Sequence, residues 1–198
     1  MARVLWKKGT VLSIDTERNL FCLAQMLDDP YLAIFKIFRA DDQWPDTKLD
    51  KPDVLFINPV TRQFLAKSKI SKPKIAPVAD LEVPSLWIHH YPGGRKKTLW
   101  PGTPDERVIP VLNSRPGGRL VQRVMKASEP EVIVKDIALD DTETIDHHEM
   151  TGIRVFQELN ERIYLCHKLG RNLDPIKDLA FDREIPIEYK KYVDIIMS

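Results

Sequence analysis

The longest stretch with helical hydrophobic spacing lies in the last third of the chain. Apolar side chains recur three or four residues apart at Phe156, Leu159, Ile163, Cys166 and Leu169. This spacing puts them in one stripe on a helix, with Asn160, Glu161 and Lys168 on the other face. Gly170 stands where a left-handed C-terminal cap is expected. A second helix is predicted over residues 187–197, just after Pro186.

The first two thirds of the chain instead show short apolar runs separated by turn residues. Runs 20–27 and 31–38 are apolar at nearly every position, and Asp28-Asp29-Pro30 lies between them. They therefore predict an antiparallel hairpin of central strands that are covered on both sides. Further strands are predicted at residues 10–14, 54–57, 64–70, 86–90, 108–112, 120–125 and 132–137. Pro92-Gly93-Gly94 and Pro116-Gly117-Gly118 supply turns.

These elements predict an α+β fold in a single domain of residues 1–198. A bent antiparallel β-sheet or partly open barrel would occupy residues 1–138, and helices would follow in residues 150–198. Thirteen of the fifteen prolines lie at or before Pro130, which also places the helices late in the chain.

Composition narrows the class of protein. No apolar run has the length of a membrane span or of a signal peptide, so we expect a cytoplasmic protein without membrane contact. The two cysteines, Cys22 and Cys166, lie in apolar runs. Buried free thiols are the preferred interpretation, and a disulfide has no support in the sequence.

Charge is unevenly distributed although the net charge is only +1. Residues 62–126 carry 13 basic and 4 acidic side chains, whereas residues 127–198 carry 9 basic and 16 acidic ones. Such a bipolar chain could steer a charged partner at long range. It could equally consist of two lobes that neutralise each other on folding.

An acidic segment precedes the long helix and is the candidate partner-binding surface. Its members are Asp140, Asp141, Glu143, Asp146, His147, His148 and Glu149. It could imitate phosphates and face a basic groove on a partner, for example the substrate channel of a nuclease. The alternative without a partner is a solvated loop whose negative charge stabilises the N-terminus of the following helix.

The same segment contains metal-ligand residue types at Asp146-His147-His148-Glu149. Adjacent side chains diverge on a helix and alternate on a strand, so they converge poorly on one ion. No HExxH motif or CxxC pair is present. We predict polar loop histidines and no metal or other cofactor.

A basic and aromatic set forms the third candidate. It comprises Arg95, Lys96, Lys97, Arg115, Arg119 and Arg123, with Trp87, Tyr91 and Trp100 nearby. Positive charge interleaved with aromatic rings can bind nucleic acid through phosphate contacts and stacking. No nucleic-acid reader motif accompanies the set, so direct nucleic-acid binding is not favoured. Catalytic signatures such as GxSxG or a phosphate-binding loop are also absent.

Five segments of the chain together resemble a known family. The opening KKGTVLSI, the paired runs LFCLAQML and YLAIFKIF, and KPDVLFI are similar to bacterial polymorphic-toxin immunity proteins of the immunity protein 26 grouping. HHEMTGIRVFQELNERIYLCHKLGRNLDPIKDLAF resembles the C-terminal part of its longer members.

The resemblance implies a non-enzymatic cytoplasmic protein that binds and neutralises a cognate toxin domain by stoichiometric occlusion. The same grouping also carries a phosphotriesterase label, which implies a small hydrolase. The chain lacks the spaced metal-binding histidines of well-known phosphotriesterases. A small hydrolase and a nucleic-acid-binding module remain the alternative functions, and no catalytic residue can be carried over.

Overall fold

The computed structural model describes residues 5–91, 95–99, 101–102, 106–112, 115–123, 131–154 and 156–197. The fold is α+β, as predicted, with antiparallel sheets in the first two thirds and helices toward the C-terminus. The chain divides into two compact units, Met1–Pro84 with Thr151–Leu173 and Ser85–Met150 with Asp174–Ser198. The single domain over residues 1–198 stays a prediction.

The first unit contains a five-stranded antiparallel sheet. Its strands are β1 Val11–Asp15, β2 Phe21–Met26, β3 Tyr31–Arg39, β4 Val54–Pro59 and β5 Lys69–Ser71. They follow the order β4-β3-β2-β1-β5, with every pair antiparallel. A 3-10 turn at Lys51–Asp53 precedes β4. The predicted hairpin is confirmed as β2 and β3, and its central residues are buried on both faces.

The strand predicted at residues 64–70 is wrong. Helix α1, Arg62–Lys67, occupies most of it, and β5 follows. The Thr61 side chain accepts a hydrogen bond from the Phe64 backbone amide at 3.0 Å, which is a helix N-cap. Phe64 and Leu65 are then buried by the helix.

Helix α3, Phe156–Leu169, confirms the predicted long helix. Gly170 has φ +66°, as the predicted left-handed cap requires. The prediction that Asn160 lies on a solvent face is wrong, because Asn160 is buried. Glu158 and Arg162 are buried as well, so the covered face of α3 is wider than its apolar stripe.

Buried polar contacts hold other parts of the first unit. The Gln25 side chain donates to the Val78 carbonyl at 3.1 Å and accepts from the Val78 amide at 2.8 Å. This pair fixes the extended connector after β5 against β2. Cys22 and Cys166 are buried free thiols, as predicted. Burial, with a smaller effect of Cys166, raises the pKa of Cys22.

The second unit contains a three-stranded sheet and a hairpin. The sheet has the order β10-β9-β6, formed by β6 Leu86–His90, β9 Gly118–Gln122 and β10 Val132–Ile137. The hairpin pairs β7 Arg95–Leu99 with β8 Arg107–Leu112. Strands β6, β8 and β10 match their predictions. Strand β9 overlaps the 120–125 prediction at residues 120–122 and begins two residues earlier, at Gly118. Residues 124 and 125 lie outside the described residues, and β7 was not predicted. The Pro92-Gly93-Gly94 turn lies outside the described residues.

Three helices complete the second unit. They are α2 Thr142–His147, α4 Pro175–Ala180 and α5 Ile187–Met197. Helix α5 confirms its prediction, while α2 and α4 were not predicted. Asp174 caps α4 by accepting from the Ile176 amide at 3.2 Å, and Pro175 begins the helix. None of the helices in the described part of the chain is long and apolar enough to cross a membrane.

Candidate functional site

The acidic segment folds as a short helix in place of the predicted loop. Asp141 is the N-cap of α2 and accepts a hydrogen bond from the Thr144 amide at 3.1 Å. Thr144 and Ile145 are buried, whereas Glu143 and His147 are exposed. The segment therefore has an inner face toward its own unit and an outer face toward solvent.

Helix α2 lies over one face of the three-stranded sheet. It follows β10 at one edge, and Met150 forms a parallel bridge with Ile88 of β6 at the opposite edge. Ile88, Leu120 and Lys135 are cross-strand neighbours and so share a face. The Lys135 Nζ atom donates to the Thr144 Oγ1 atom at 2.8 Å, which places α2 on that face.

Asp141 is engaged within the second unit. The Lys135 Nζ atom donates to its Oδ2 atom at 2.8 Å. The hydrogen bond from Lys135 and those from Thr144 lower the pKa of Asp141 to about 2. The carboxylate is thus a structural cap and ion-pair partner, and it is poorly placed to be the centre of a partner contact.

Asp146 is engaged in the same way by the segment after α4. The Arg183 Nη1 atom lies 2.6 Å from the Asp146 Oδ1 atom and 3.5 Å from an Asp178 oxygen. The Tyr189 hydroxyl donates to Asp178 at 2.6 Å. Burial raises the pKa of Asp178, against the hydrogen bond from Tyr189. Burial alone would lower the pKa of Arg183, but Asp146 and Asp178 raise it.

The remaining candidates differ in accessibility. The Nδ1 atoms of His147 and His148 lie 2.8 Å and 2.9 Å from the carbonyl oxygens of Glu143 and Thr144. The Glu149 carbonyl accepts from the Ile88 amide at 2.8 Å, and its side chain is half-buried. The described residues contain no group of three or more His, Cys, Asp or Glu side chains placed to hold a metal ion.

Asp140 and Glu143 are the accessible carboxylates of the segment. Both are exposed, and neither forms an ion pair with another residue in the described part of the chain. Exposed apolar side chains occur earlier in the same segment: Val132 at 55%, Ile133 at 55% and Val134 at 52% exposure in β10, and Leu139 at 45% just before Asp140. Lys135, Asp136 and the buried Ile137 lie between Val134 and Leu139 in sequence.

We call the set Val132, Ile133, Val134, Leu139, Asp140 and Glu143 the β10 surface. Exposed apolar side chains on an edge strand, close in sequence to accessible charges, are typical of interaction sites. The predicted partner-binding segment included the acidic part of this surface but not its apolar part. The sequence carried a signal for it: residues 132–134 are three consecutive β-branched residues. A strand with only one buried face would instead alternate apolar and polar residues.

The described members of the basic and aromatic set make contacts within the second unit. Trp87 is fully buried and cannot stack on a nucleobase. Arg119 pairs with Asp136 at 3.2 Å, and the Tyr91 hydroxyl donates to the same carboxylate at 2.9 Å. The hydrogen bond from Tyr91, followed by that from Arg119, lowers the pKa of Asp136. The guanidinium of Arg115 stacks 4.4 Å from the Tyr91 ring centroid.

The side chains of four other members lie outside the described residues, and Arg123 contacts a carboxylate. Trp100 and the side chains of Arg95, Lys96 and Lys97 lie outside the described residues. Arg123 approaches Glu131 at 4.0 Å, and the same carboxylate contacts the His89 Nδ1 atom at 2.7 Å.

Comparison with known proteins places the chain in one family. The model of the family described as "Domain of unknown function (DUF8309)" matches residues 1–184. No curated protein and no solved structure matches the chain significantly. Because the match covers most of its length, the chain belongs to the DUF8309 family.

Proposed function

We propose that the protein is an immunity protein of the bacterial cytoplasm that binds a cognate toxin domain and neutralises it by covering its surface. Two findings support the proposal. The sequence segments described above resemble polymorphic-toxin immunity proteins, and the β10 surface has the character of a protein-binding face. A stoichiometric inhibitor requires no active site, only a preorganised face that partly buries on binding.

The β10 surface is the observation that carries this proposal. Strand β10 exposes Val132, Ile133 and Val134 in direct succession, at more than half of each side chain. Burying such side chains against a partner yields roughly 25 cal/mol for each Å² of apolar area removed from water. Isolated exposed apolar residues are ordinary, but a consecutive run on one strand is not.

The charge bordering this run defines the expected partner. Asp140 and Glu143 carry negative charge that no described residue neutralises by an ion pair. Complementary charge accelerates association and disfavours wrong partners. We therefore infer a basic toxin surface, such as the substrate groove of a nuclease. Asp141 and Asp146 support the same face indirectly, because their ion pairs hold α2 in place.

The test is binding to the toxin domain encoded by the reading frame next to the gene. The double variant Asp140→Lys/Glu143→Lys should associate on the order of tenfold to a hundredfold more slowly at low salt. Charge reversal of Asp141 or Asp146 is avoided, because it would also break contacts inside the second unit.

The matched control is Glu184→Lys/Asp194→Lys, which makes the same change in net charge at exposed positions of the second unit. This control should associate at nearly the wild-type rate. Equal slowing of both double variants would show that only net charge matters and would refute this face. A wild-type complex that inhibits the toxin is required in either case.

A further inference from the structure

We propose that the partner binds by adding a strand to the outer edge of β10. The inference rests on the proposed function and specifies how the toxin domain would be recognised. Strand addition joins two proteins through main-chain hydrogen bonds, while side chains on both faces of the added strand supply specificity.

The three-stranded sheet offers one edge for such an addition. Met150 already pairs with Ile88 at the β6 edge. At the other edge, β10 pairs with β9 on its inner side, and no described strand pairs with its outer side. In an antiparallel ladder, alternate residues of an edge strand direct their amide and carbonyl groups outward. The outer edge of β10 can therefore accept a further strand.

Side chains that are buried on β6 and β9 have exposed cross-strand neighbours on β10. Trp87, Val121 and Ile133 are cross-strand neighbours on one face. The first two are almost completely buried, whereas Ile133 is 55% exposed. On the opposite face, Val132 stands beside Gln122 and is equally exposed. An added strand would cover apolar side chains on both faces of β10.

The lysine that often protects an edge strand is engaged within the unit in β10. Natural edge strands often carry a lysine whose charge must be desolvated by an incoming strand. The only lysine of β10 is Lys135, and its ammonium group is bound by Asp141 and Thr144 over the α2 face. A register shift between Ile133 and Lys135 marks a bulge, which confines regular pairing to the segment on one side of Val134.

The bordering charge selects the occupant. Asp140 and Glu143 follow β10 closely and carry no ion pair among the described residues. A strand bearing lysine or arginine beside apolar residues would match this border. A second copy of the chain could pair β10 with β10, but it would leave the Asp140 and Glu143 charges of both copies without a basic partner. We therefore assign the edge to a basic strand of the toxin domain.

The experiment uses the full chain, the neighbouring toxin domain and amide hydrogen exchange. Forming the complex should protect the outward-facing, alternate amides of β10 at least tenfold. The neutral double variant Val132→Gln/Ile133→Gln should weaken the complex at least tenfold. Val108→Gln is the control, because Val108 is a 59% exposed strand residue of the same unit, and it should leave affinity unchanged. Comparing the affinities of the two variants separates loss of the β10 edge from a general loss of exposed apolar side chains.

Two peptide probes make the result independent of the toxin. One eight-residue peptide alternates lysine with valine, and the other alternates glutamate with valine. Only the lysine peptide should protect the β10 amides. If the toxin complex forms without protecting β10 and ignores the glutamine variant, strand addition is overturned while the proposed function stands.

The other outcomes are equally decisive. If the toxin domain does not bind but the lysine peptide protects β10, the edge site holds and the proposed function fails. If neither the toxin domain nor the lysine peptide protects β10, strand addition is wrong. A dimer of the chain that the glutamine variant dissociates would show that a second copy occupies the edge, which contradicts the assignment to a basic partner.

Discussion

Replacing Arg162 by methionine should destabilise the first unit by about 3 kcal/mol. The guanidinium is 2% exposed and lies 3.8 Å from the Phe56 ring centroid. Its Nη1 atom donates to the Asn58 side chain at 2.5 Å, and its Nε atom donates to the Leu173 carbonyl at 2.8 Å. A further hydrogen bond reaches Asn172 at 2.9 Å. One side chain thus connects α3 with β4 and with the segment after α3.

The magnitude follows from the two acceptors that lie in the interior. Hydrogen bonds involving a charged group contribute roughly 1.5–3 kcal/mol each, so losing those to Asn58 and Leu173 costs about 3–6 kcal/mol. Removing a guanidinium that was costly to desolvate offsets part of this loss. Methionine retains most of the apolar stem, which limits the cavity term. A net loss of about 3 kcal/mol is therefore expected.

Urea unfolding followed by far-ultraviolet circular dichroism measures this loss. With a slope of about 2 kcal/mol per molar urea, the unfolding midpoint of the first unit should fall by about 1.5 M. The control is Arg18→Met in the same unit. Arg18 also pairs with a carboxylate and stacks on an aromatic ring, but its side chain is half exposed, so less than about 1 kcal/mol should be lost. Equal losses of unfolding free energy for the two variants would mean that burial does not strengthen the hydrogen bonds of Arg162.

A Cβ on Gly118 would lie 2.7 Å from the His89 carbonyl oxygen. The free energy of unfolding of Gly118→Ala should therefore be lower by about 1–3 kcal/mol in thermal unfolding. Gly152→Ala, where a Cβ meets nothing within 4 Å, should be almost as stable as the wild type. Gln25→Glu removes the donor to the Val78 carbonyl and should cost about 1–3 kcal/mol in urea unfolding at pH 7. The Asp141 pKa of about 2 lies below its ordinary value, so its stabilisation is complete above about pH 4 and is lost as pH falls toward 2; the stability difference from Asp141→Asn should shrink over that interval in acid unfolding.

Much of the fold follows from local sequence patterns. The apolar runs of β2 and β3 and the periodic stripe of α3 are strong signals, because each buries side chains at the spacing of its backbone. Strand β7 carries no such signal, since its sequence RKKTL begins with three basic residues. The strand predicted at residues 64–70 rests on apolar residues alone, whereas the Thr61 side chain caps a helix that begins at Arg62.

The candidate site was predicted only as a region. The sequence located the acidic segment, but its patterns could not show which carboxylates were already paired. Arg183 reaches Asp146 across 37 positions of sequence, and this contact exists only once the second unit has folded. Burial of Arg162 and Asn160 was not predicted either, because both are polar residues within a helix. Burial of polar side chains depends on partners that are distant in sequence.

The measurement that tests the central claim most directly is titration of the purified chain into the toxin domain of the neighbouring reading frame, with toxin activity followed in parallel. The proposed function predicts a one-to-one complex that abolishes activity, forms faster at low salt and is weakened by Asp140→Lys/Glu143→Lys. A toxin domain that stays free and active at saturating concentrations of the chain would contradict it.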